Sequence, residues 1–213
     1  MISSVGFIIV SYIFASIPWG FVIGKLRGID IRKHGSGNIG ATNVTRVLGK
    51  WAGRICFLMD FLKGLLPVLL AMKLISAGFI SDCSGVFLCS VVFACVAGHM
   101  WSIFLKFTGG KGMSTSAGAL LALSPYATIT CAAVWFTVFL YSKYVSLASI
   151  AAAVVLPVAA IIFAFAGVWP LPPAVLVLLV IITFLAVFKH RANIERLRNG
   201  TENRFVKVKR DTE

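Results

Sequence analysis

Carboxylates are scarce in this chain. Asp30, Asp60, Asp82, Glu195, Glu202, Asp211 and Glu213 are all that stand among 213 residues, against 20 Lys and Arg. No DxxD-type pair is there to bind Mg²⁺, which argues against a metal-dependent alcohol-phosphate transferase; no metal and no other cofactor is expected. Cysteine does not fill the gap. Cys56, Cys83, Cys89, Cys95 and Cys131 form no CxxC pair and lie mostly in apolar segments, as small buried hydrophobes do. No nucleophile elbow is present and no cysteine stands at a motif, so covalent catalysis has no support. No Lys or Arg precedes the first apolar run and no clean cleavage site follows it, so that run is expected to be a retained span. Repeats, low-complexity tracts and a soluble domain are also missing.

What is present is apolar. The chain is 59% hydrophobic and 13% charged, with mean hydropathy +0.96, which makes it an integral membrane protein. Uncharged runs place the helices, since the hydrocarbon core takes about 20 apolar residues per helix. They fall at 5–24, at 52–78 (interrupted by Asp60, Lys63 and Lys73) and at 83–105. Pro125 divides 112–142 into a short segment, 112–124, and a normal span, 126–142. Residues 144–188 hold two spans, with GVWPLPP at 167–173 as their turn.

Positive charge then orients the chain. Seven Lys/Arg lie in 25–54, Lys106, Lys111 and Lys143 follow, and eight lie in 189–210. The N-terminus and the connections 79–82 and 167–173 carry none. If 112–124 crosses, all basic loops share one side; if it is re-entrant, Lys143 and the C-terminal cations land opposite. The positive-inside rule selects the first arrangement. The expected fold is an all-α integral membrane protein, 1–213 forming one membrane domain. It is a seven-segment helix bundle with one short helix, N-terminus outside and C-terminus cytoplasmic. The tail, 203–213, reads as a solvated basic segment near anionic lipid headgroups. Nucleic acid is not an expected partner, because the cations are spread over the boundaries of a membrane bundle.

Three polar stretches stand out at those boundaries. The loop 28–51 carries SGNIGATNVTR at 36–46, dense in hydroxyls and amides. Ser36, Asn38 and Asn43 can hydrogen-bond an anion, and the Arg46 fork suits a phosphate. His34 reads as an ordinary loop histidine. The second stretch, GHMWSIFLKFTGGKGMST at 98–115, contains Gly109, Gly110, Lys111 and Gly112. Glycines there permit positive φ, so successive N–H groups can converge on an anion, with Lys111 and the N-terminus of the following helix adding positive charge. This is not a Walker A loop, because Leu105 stands where that pattern needs glycine. His99 reads as structural. The third stretch is KHRANIERLRNGTE at 189–202. His190 and Asn193 share a helix face at i, i+3, with His190 either a base or a phosphate donor. Arg191 and Glu195 are spaced to pair, and 196–198 reads as a solvated charge run. Within the membrane, Asp60 and Lys63 also share a face. Either they neutralise each other, or Asp60 holds Lys63 toward a substrate. Ser146 and Ser149 open the sixth span, as caps or ligand contacts. A composite site for a phosphorylated substrate is the expectation, in an enzyme or, alternatively, in a membrane transporter for a phosphorylated solute.

Together, SGNxGATN, FxGGKG and HRxNIxRLxxGTE, with DFLKG at 60–64 and SLAS at 146–149, resemble the bacterial acyl-phosphate:glycerol-3-phosphate acyltransferase family over nearly the whole chain. The resemblance implies seven membrane helices in the bacterial inner membrane and an active site on the cytoplasmic side. The implied reaction moves a fatty acyl group from acyl phosphate to the sn-1 hydroxyl of glycerol 3-phosphate, giving lysophosphatidic acid and phosphate. Partners implied are glycerol 3-phosphate, fatty acyl phosphate, membrane lipids and the soluble enzyme that makes acyl phosphate. By position, Ser36, Arg46, Lys111, Ser149, His190 and Asn193 resemble substrate-contacting residues, with Asn38, Asn43 and Lys63 beside them. Thr108 departs from a common Lys, and Ser114 from a common Ala.

Overall fold

The computed structural model describes residues 4–205. Those residues form ten α-helices and no named strand; one isolated bridge pairs Ser102 with Thr108. The first apolar run is split into α1 (Ser4–Ala15) and α2 (Trp19–Leu26), not one continuous helix. Pro18 supplies no N–H to the ladder, which explains the break. The Ile17 carbonyl beside it accepts Lys63 Nζ at 2.8 Å. A short helix, α3 (Ala41–Leu48), lies in the first polar loop. Then come α4 (Lys50–Ser76), α5 (Val86–Met100), α6 (Met113–Leu123), α7 (Pro125–Ser142), α8 (Val145–Phe165), α9 (Pro173–Lys189) and α10 (Arg191–Arg198).

Among the described residues, four segments are long and apolar enough to cross a membrane: Ser4–Leu26, α4, α7 and α8. Joined to α10 across a 54° bend, α9 makes a fifth, and α5 and α6 are shorter apolar helices. The seven apolar segments stand where the hydropathy places them, the fourth being short. Its 11 residues reach roughly 16 Å, about half of a ~30 Å hydrocarbon core. The 167–172 turn packs on the end of this short helix. Trp169 donates from its indole to the Leu123 carbonyl that ends α6 (3.2 Å) and packs its ring on Tyr126.

Close packing on small residues holds the bundle. The main contacts are α4 on α6, α7 on α8, α1 on α5 and α3 on α4. A Cβ on Gly64 would run into the Thr115 carbonyl, and one on Gly118 into the Phe61 carbonyl, so α4 and α6 meet backbone to backbone at a reciprocal pair of glycines. Such contacts matter in lipid, where apolar burial gives helices little reason to associate. Ile129, Phe136, Leu140, Val154, Val158 and Ile162 stay exposed on α7 and α8, as lipid-facing side chains do.

The polar ends converge. Lys111 before α6 bonds Asn193 on α10, Ser146 on α8 bonds Glu202, and Phe205 N–H donates to the Lys143 carbonyl at 2.8 Å. The start of α6 and the end of α7 therefore share one end of the bundle, as they do if the short segment crosses. The tail does not begin as a free solvated segment. Arg46 donates to the Asn203 carbonyl (3.3 Å), and Arg204 donates to the Tyr144 hydroxyl (2.9 Å) and lies over its ring. The rest of the expected tail, 206–213, lies outside the described residues.

Candidate active site

All three polar stretches empty into one cavity of about 470 Å³. Its mouth is lined by Ser36, Asn38, Arg46, Lys111, Asn193 and Glu202, and its deeper wall by alanines, Leu120, Trp135, Leu156 and Ile182. Charge sits at one end and hydrocarbon at the other.

Asn43 builds the first side of the mouth. Buried on α3, it accepts Ser36 N–H on Oδ1 (2.8 Å) and donates from Nδ2 to the carbonyls of Asn38, His34 and Ile31 at 2.9, 3.0 and 3.3 Å. These bonds occupy its amide with the loop itself, so Asn43 folds the loop that presents Ser36 and Asn38. Asn38 Oδ1 accepts Gly40 N–H at 2.8 Å, a turn typical of Asn. Arg46, exposed on α3, reaches the mouth from above the Asn203 carbonyl.

The glycine-rich segment differs from the expected N–H nest. Of Gly109, Gly110 and Gly112, only Gly112 has positive φ, and Gly110 gives its N–H to the His99 carbonyl at 3.1 Å. Gly109 and Gly110 do not line the cavity; they let the segment lie flat on the His99–Met100 backbone and the His99 ring. What the segment delivers is Lys111, Gly112 and the N-terminus of α6. Thr108 turns its hydroxyl back to the Leu105 carbonyl (2.6 Å) and is not part of the lining, whereas Ser114 is.

A relay fixes the other side. Lys111 Nζ donates to Asn193 Oδ1, and Asn193 Nδ2 donates to Glu202 Oε1 at 2.7 Å. Ser146 Oγ donates to the same oxygen at 2.8 Å, and Arg196 Nε to Oε2 at 2.7 Å. Burial works to raise the Glu202 carboxyl, but these bonds from Asn193, Ser146 and Arg196 prevail and hold it below its usual range. Burial brings the Lys111 ammonium down to about 8, against the pull of Glu202. Arg196 therefore belongs to the site and not to a solvated run. Arg191 does not pair with Glu195: it donates to the Phe188 carbonyl at 3.4 Å and covers the Phe188 ring.

His190 caps α9 with its ring buried. Its Nδ1 lies 2.8 Å from the Ala186 carbonyl. A carbonyl only accepts, so Nδ1 carries the proton of the neutral ring and Nε2 is left as an acceptor. Burial, followed by the Lys111 charge, lowers this imidazole to about 4. At neutral pH the ring is therefore uncharged, with Nε2 as its acceptor atom. Ser149, buried on α8, takes the Trp135 indole N–H at 3.1 Å.

Lys63 is placed elsewhere. It is 1% exposed, bonds Asp60 Oδ1 at 2.8 Å and the Ile17 carbonyl, and is not part of the cavity wall. Asp60 and His99 are the members of that buried cluster that reach the lining.

With this geometry in hand, sequence comparison is decisive: the family model described as glycerol-3-phosphate acyltransferase matches residues 5–200. The chain belongs to the glycerol-3-phosphate acyltransferase family. A glycerol-3-phosphate acyltransferase of Aquifex aeolicus is 44% identical over 199 residues, covering 93% of this chain and 97% of the relative. A crystal structure of PlsY, an integral membrane glycerol 3-phosphate acyltransferase, in its glycerol 3-phosphate form superposes with TM-score 0.84 at 42% identity, covering 95% of this chain and 96% of the other. Its lysophosphatidic acid form gives 0.81 at 42% identity, covering 95% of each. For this family member, sequence reading missed Glu202, Arg196, Ser146 as a Glu202 ligand and Asn43 as the loop's organiser. The signal for Glu202 was available: with seven acids in the chain, one closing a cationic motif is a natural anchor.

Proposed function

We propose that this protein transfers a fatty acyl group from acyl phosphate to the sn-1 hydroxyl of glycerol 3-phosphate at the cytoplasmic face of a bacterial plasma membrane. The amphiphilic cavity carries the proposal: cations and hydrogen-bond donors surround its mouth, and apolar side chains line its depth. An acyl phosphate, and the lysophosphatidic acid made from it, have that same division of polarity.

Two anionic phosphates must approach each other, and Lys111, Arg46, Arg196 and the α6 N-terminus offset their repulsion. Lys111 and Ser36 stabilise charge at the reacting phosphates; Arg46, Asn38 and Asn193 position glycerol 3-phosphate. Ser149 and Trp135, bonded to each other on the cavity wall, border the path proposed for the acyl chain. His190 Nε2 accepts the sn-1 hydroxyl and aims its oxygen at the acyl carbonyl. A ring with a conjugate-acid pKa of about 4 is a weak base, so the proton passes on to phosphate. The sn-1 oxygen bonds to the carbonyl carbon, the bond to the phosphate oxygen breaks, and the departing phosphate leaves as hydrogen phosphate. An anhydride donor makes neither a metal nor a covalent enzyme intermediate necessary.

Sidedness follows from the positive-inside rule applied to the convergent basic loops. A transporter for a phosphorylated solute centres its charges at mid-membrane; here they gather at one end. The test is donor choice. Purified protein with chelator should acylate glycerol 3-phosphate from palmitoyl phosphate and not from palmitoyl-coenzyme A or palmitoyl acyl carrier protein. Transfer from either thioester at a comparable rate contradicts the proposed donor.

A further inference from the structure

Beneath the glycine-rich segment lies a buried cluster that the proposed chemistry leaves unused. His99 lies in the last turn of α5 and is 4% exposed; Asp60 and Lys63 on α4 are each 1% exposed. Lys63 Nζ bonds Asp60 Oδ1 at 2.8 Å and is tied to the Ile17 carbonyl at the break between α1 and α2. Asp60 Oδ1 faces His99 Nδ1 at 3.5 Å, and Cys56 Sγ lies 3.6 Å from Asp60 Oδ2. On its other side the His99 ring underlies Gly110 directly, since a Cβ there would collide with His99 Nε2. The His99 carbonyl receives Gly110 N–H at 3.1 Å, and the next carbonyl, Met100, receives Lys189 Nζ at 3.0 Å. One residue beyond Gly110 is Lys111; one residue beyond Lys189 is His190.

Charges inside a membrane bundle are costly unless they pair or serve a site. A self-neutralising Lys63–Asp60 pair would need no third partner. Here the third partner has its ring and its carbonyl both pressed against the segment that carries Lys111. We infer that His99, backed by the Asp60 carboxylate that Lys63 pins, is a positioning residue that sets the height of the Gly109–Lys111 segment and with it the place of the Lys111 ammonium. The inference rests on the proposed function for the meaning of Lys111, but its physical content is the placement of one amine. Gly110 is glycine in this scheme because the imidazole occupies the space of its side chain.

The test reads Lys111 directly. In purified protein, the rate at which acetic anhydride modifies Lys111 is followed peptide by peptide, with Lys25 and Lys143 as internal references. His99→Ala should raise the Lys111 rate about threefold or more by freeing it from Asn193, the reference lysines should not change, and His99→Asn, which keeps a polar group between Asp60 and the segment, should recover most of the protection. Kinetics supply the second readout. His99→Ala should raise the KM for glycerol 3-phosphate about tenfold, with kcat changed less than threefold. Gly110→Ala should be less damaging in the His99→Ala background than alone, because the collision it creates is with the ring. Unchanged Lys111 reactivity in both His99 variants, or strictly additive Gly110 and His99 effects, overturns the inference. If His99→Ala does not fold, Gly110→Ala alone decides it: by lifting the segment off the ring it should raise the Lys111 modification rate about threefold or more, and an unchanged rate overturns the inference. Should the wild-type protein lack acyl transfer altogether, the proposed function fails, while the lysine reactivity still decides the role of His99.

Discussion

Lys63 is buried and Lys111 half-buried, and their surroundings set a cation tied into the bundle apart from one open to the cavity. Lys63, on α4, is paired with a carboxylate and the Ile17 backbone carbonyl, and its ammonium is closed off from the cavity. Lys111 lines the cavity; its partner is the neutral amide of Asn193, and the nearest carboxylate, Glu202, stands one hydrogen bond further on. An anion has nothing to offer the first cation that Asp60 does not already supply. For the second it brings the charge that the relay withholds. Of these two, the cation with an ionised partner ties α4 to the break between α1 and α2, and the one with a neutral partner stays open to the cavity.

The sharpest way to break that contrast is to remove each amine. Lys111→Ala should leave the thermal midpoint near wild type and cut kcat/KM by about 10²–10³-fold. Lys63→Ala should leave an unpaired buried carboxylate and cost about 3–5 kcal/mol of stability. Scanning thermal denaturation and acyl-transfer kinetics on both variants check this; equal losses of activity at equal stability erase the distinction. Next in size is Glu202→Gln. It retains an acceptor but loses the charge that orders Arg196, Asn193 and Ser146, and kcat/KM should fall about 10–100-fold.

Acidity gives the next two tests. Lys111 is lowered to about 8 by burial, so its charged form is complete below that value and is lost as pH rises through it. The kcat/KM for the phosphorylated substrates should therefore decline above pH about 8, and Lys111→Arg, charged throughout, should lack that limb. A limb unchanged in Lys111→Arg belongs to another group. His190 makes the smallest difference to the profile. An ordinary imidazole would give a limb near 6.5, but burial and the neighbouring Lys111 charge shift this ring to about 4. Any limb near 6 then reports substrate phosphate, whose second ionisation lies at about 6, and it should survive His190→Gln even as kcat falls. Its disappearance in that variant restores His190 as the titrating base.

How much of this was legible follows the type of signal. Segment number and the short fourth helix follow from uncharged runs and Pro125, because the bilayer enforces length and apolarity. Nine of the site candidates, from Ser36 to Asn193, line one cavity. Lys63 could not be placed by spacing: i, i+3 puts it beside Asp60 but does not say whether the shared face looks inward to a cavity or across to α1. The Gly109–Gly110 assignment went astray because glycine permits both positive φ and close approach, and only the packing of His99 decides between them. Glu202 and Arg196 lay in a charge run with no periodicity to mark an inward face. The break at Pro18 was readable from the residue alone, but its use, presenting the Ile17 carbonyl to Lys63, depends on a contact 46 positions away.

The central claim is that one cavity, without a metal, joins an acyl phosphate to glycerol 3-phosphate through the available cation of the pair. The most direct measurement follows released phosphate and lysophosphatidic acid together, from palmitoyl phosphate and radiolabelled glycerol 3-phosphate with saturating chelator, for wild-type protein and Lys111→Ala side by side. The account predicts one phosphate per lysophosphatidic acid, acylation at sn-1, and loss of both products in the variant. Phosphate release without acyl transfer, turnover that requires added Mg²⁺, or a fully active Lys111→Ala enzyme contradicts it.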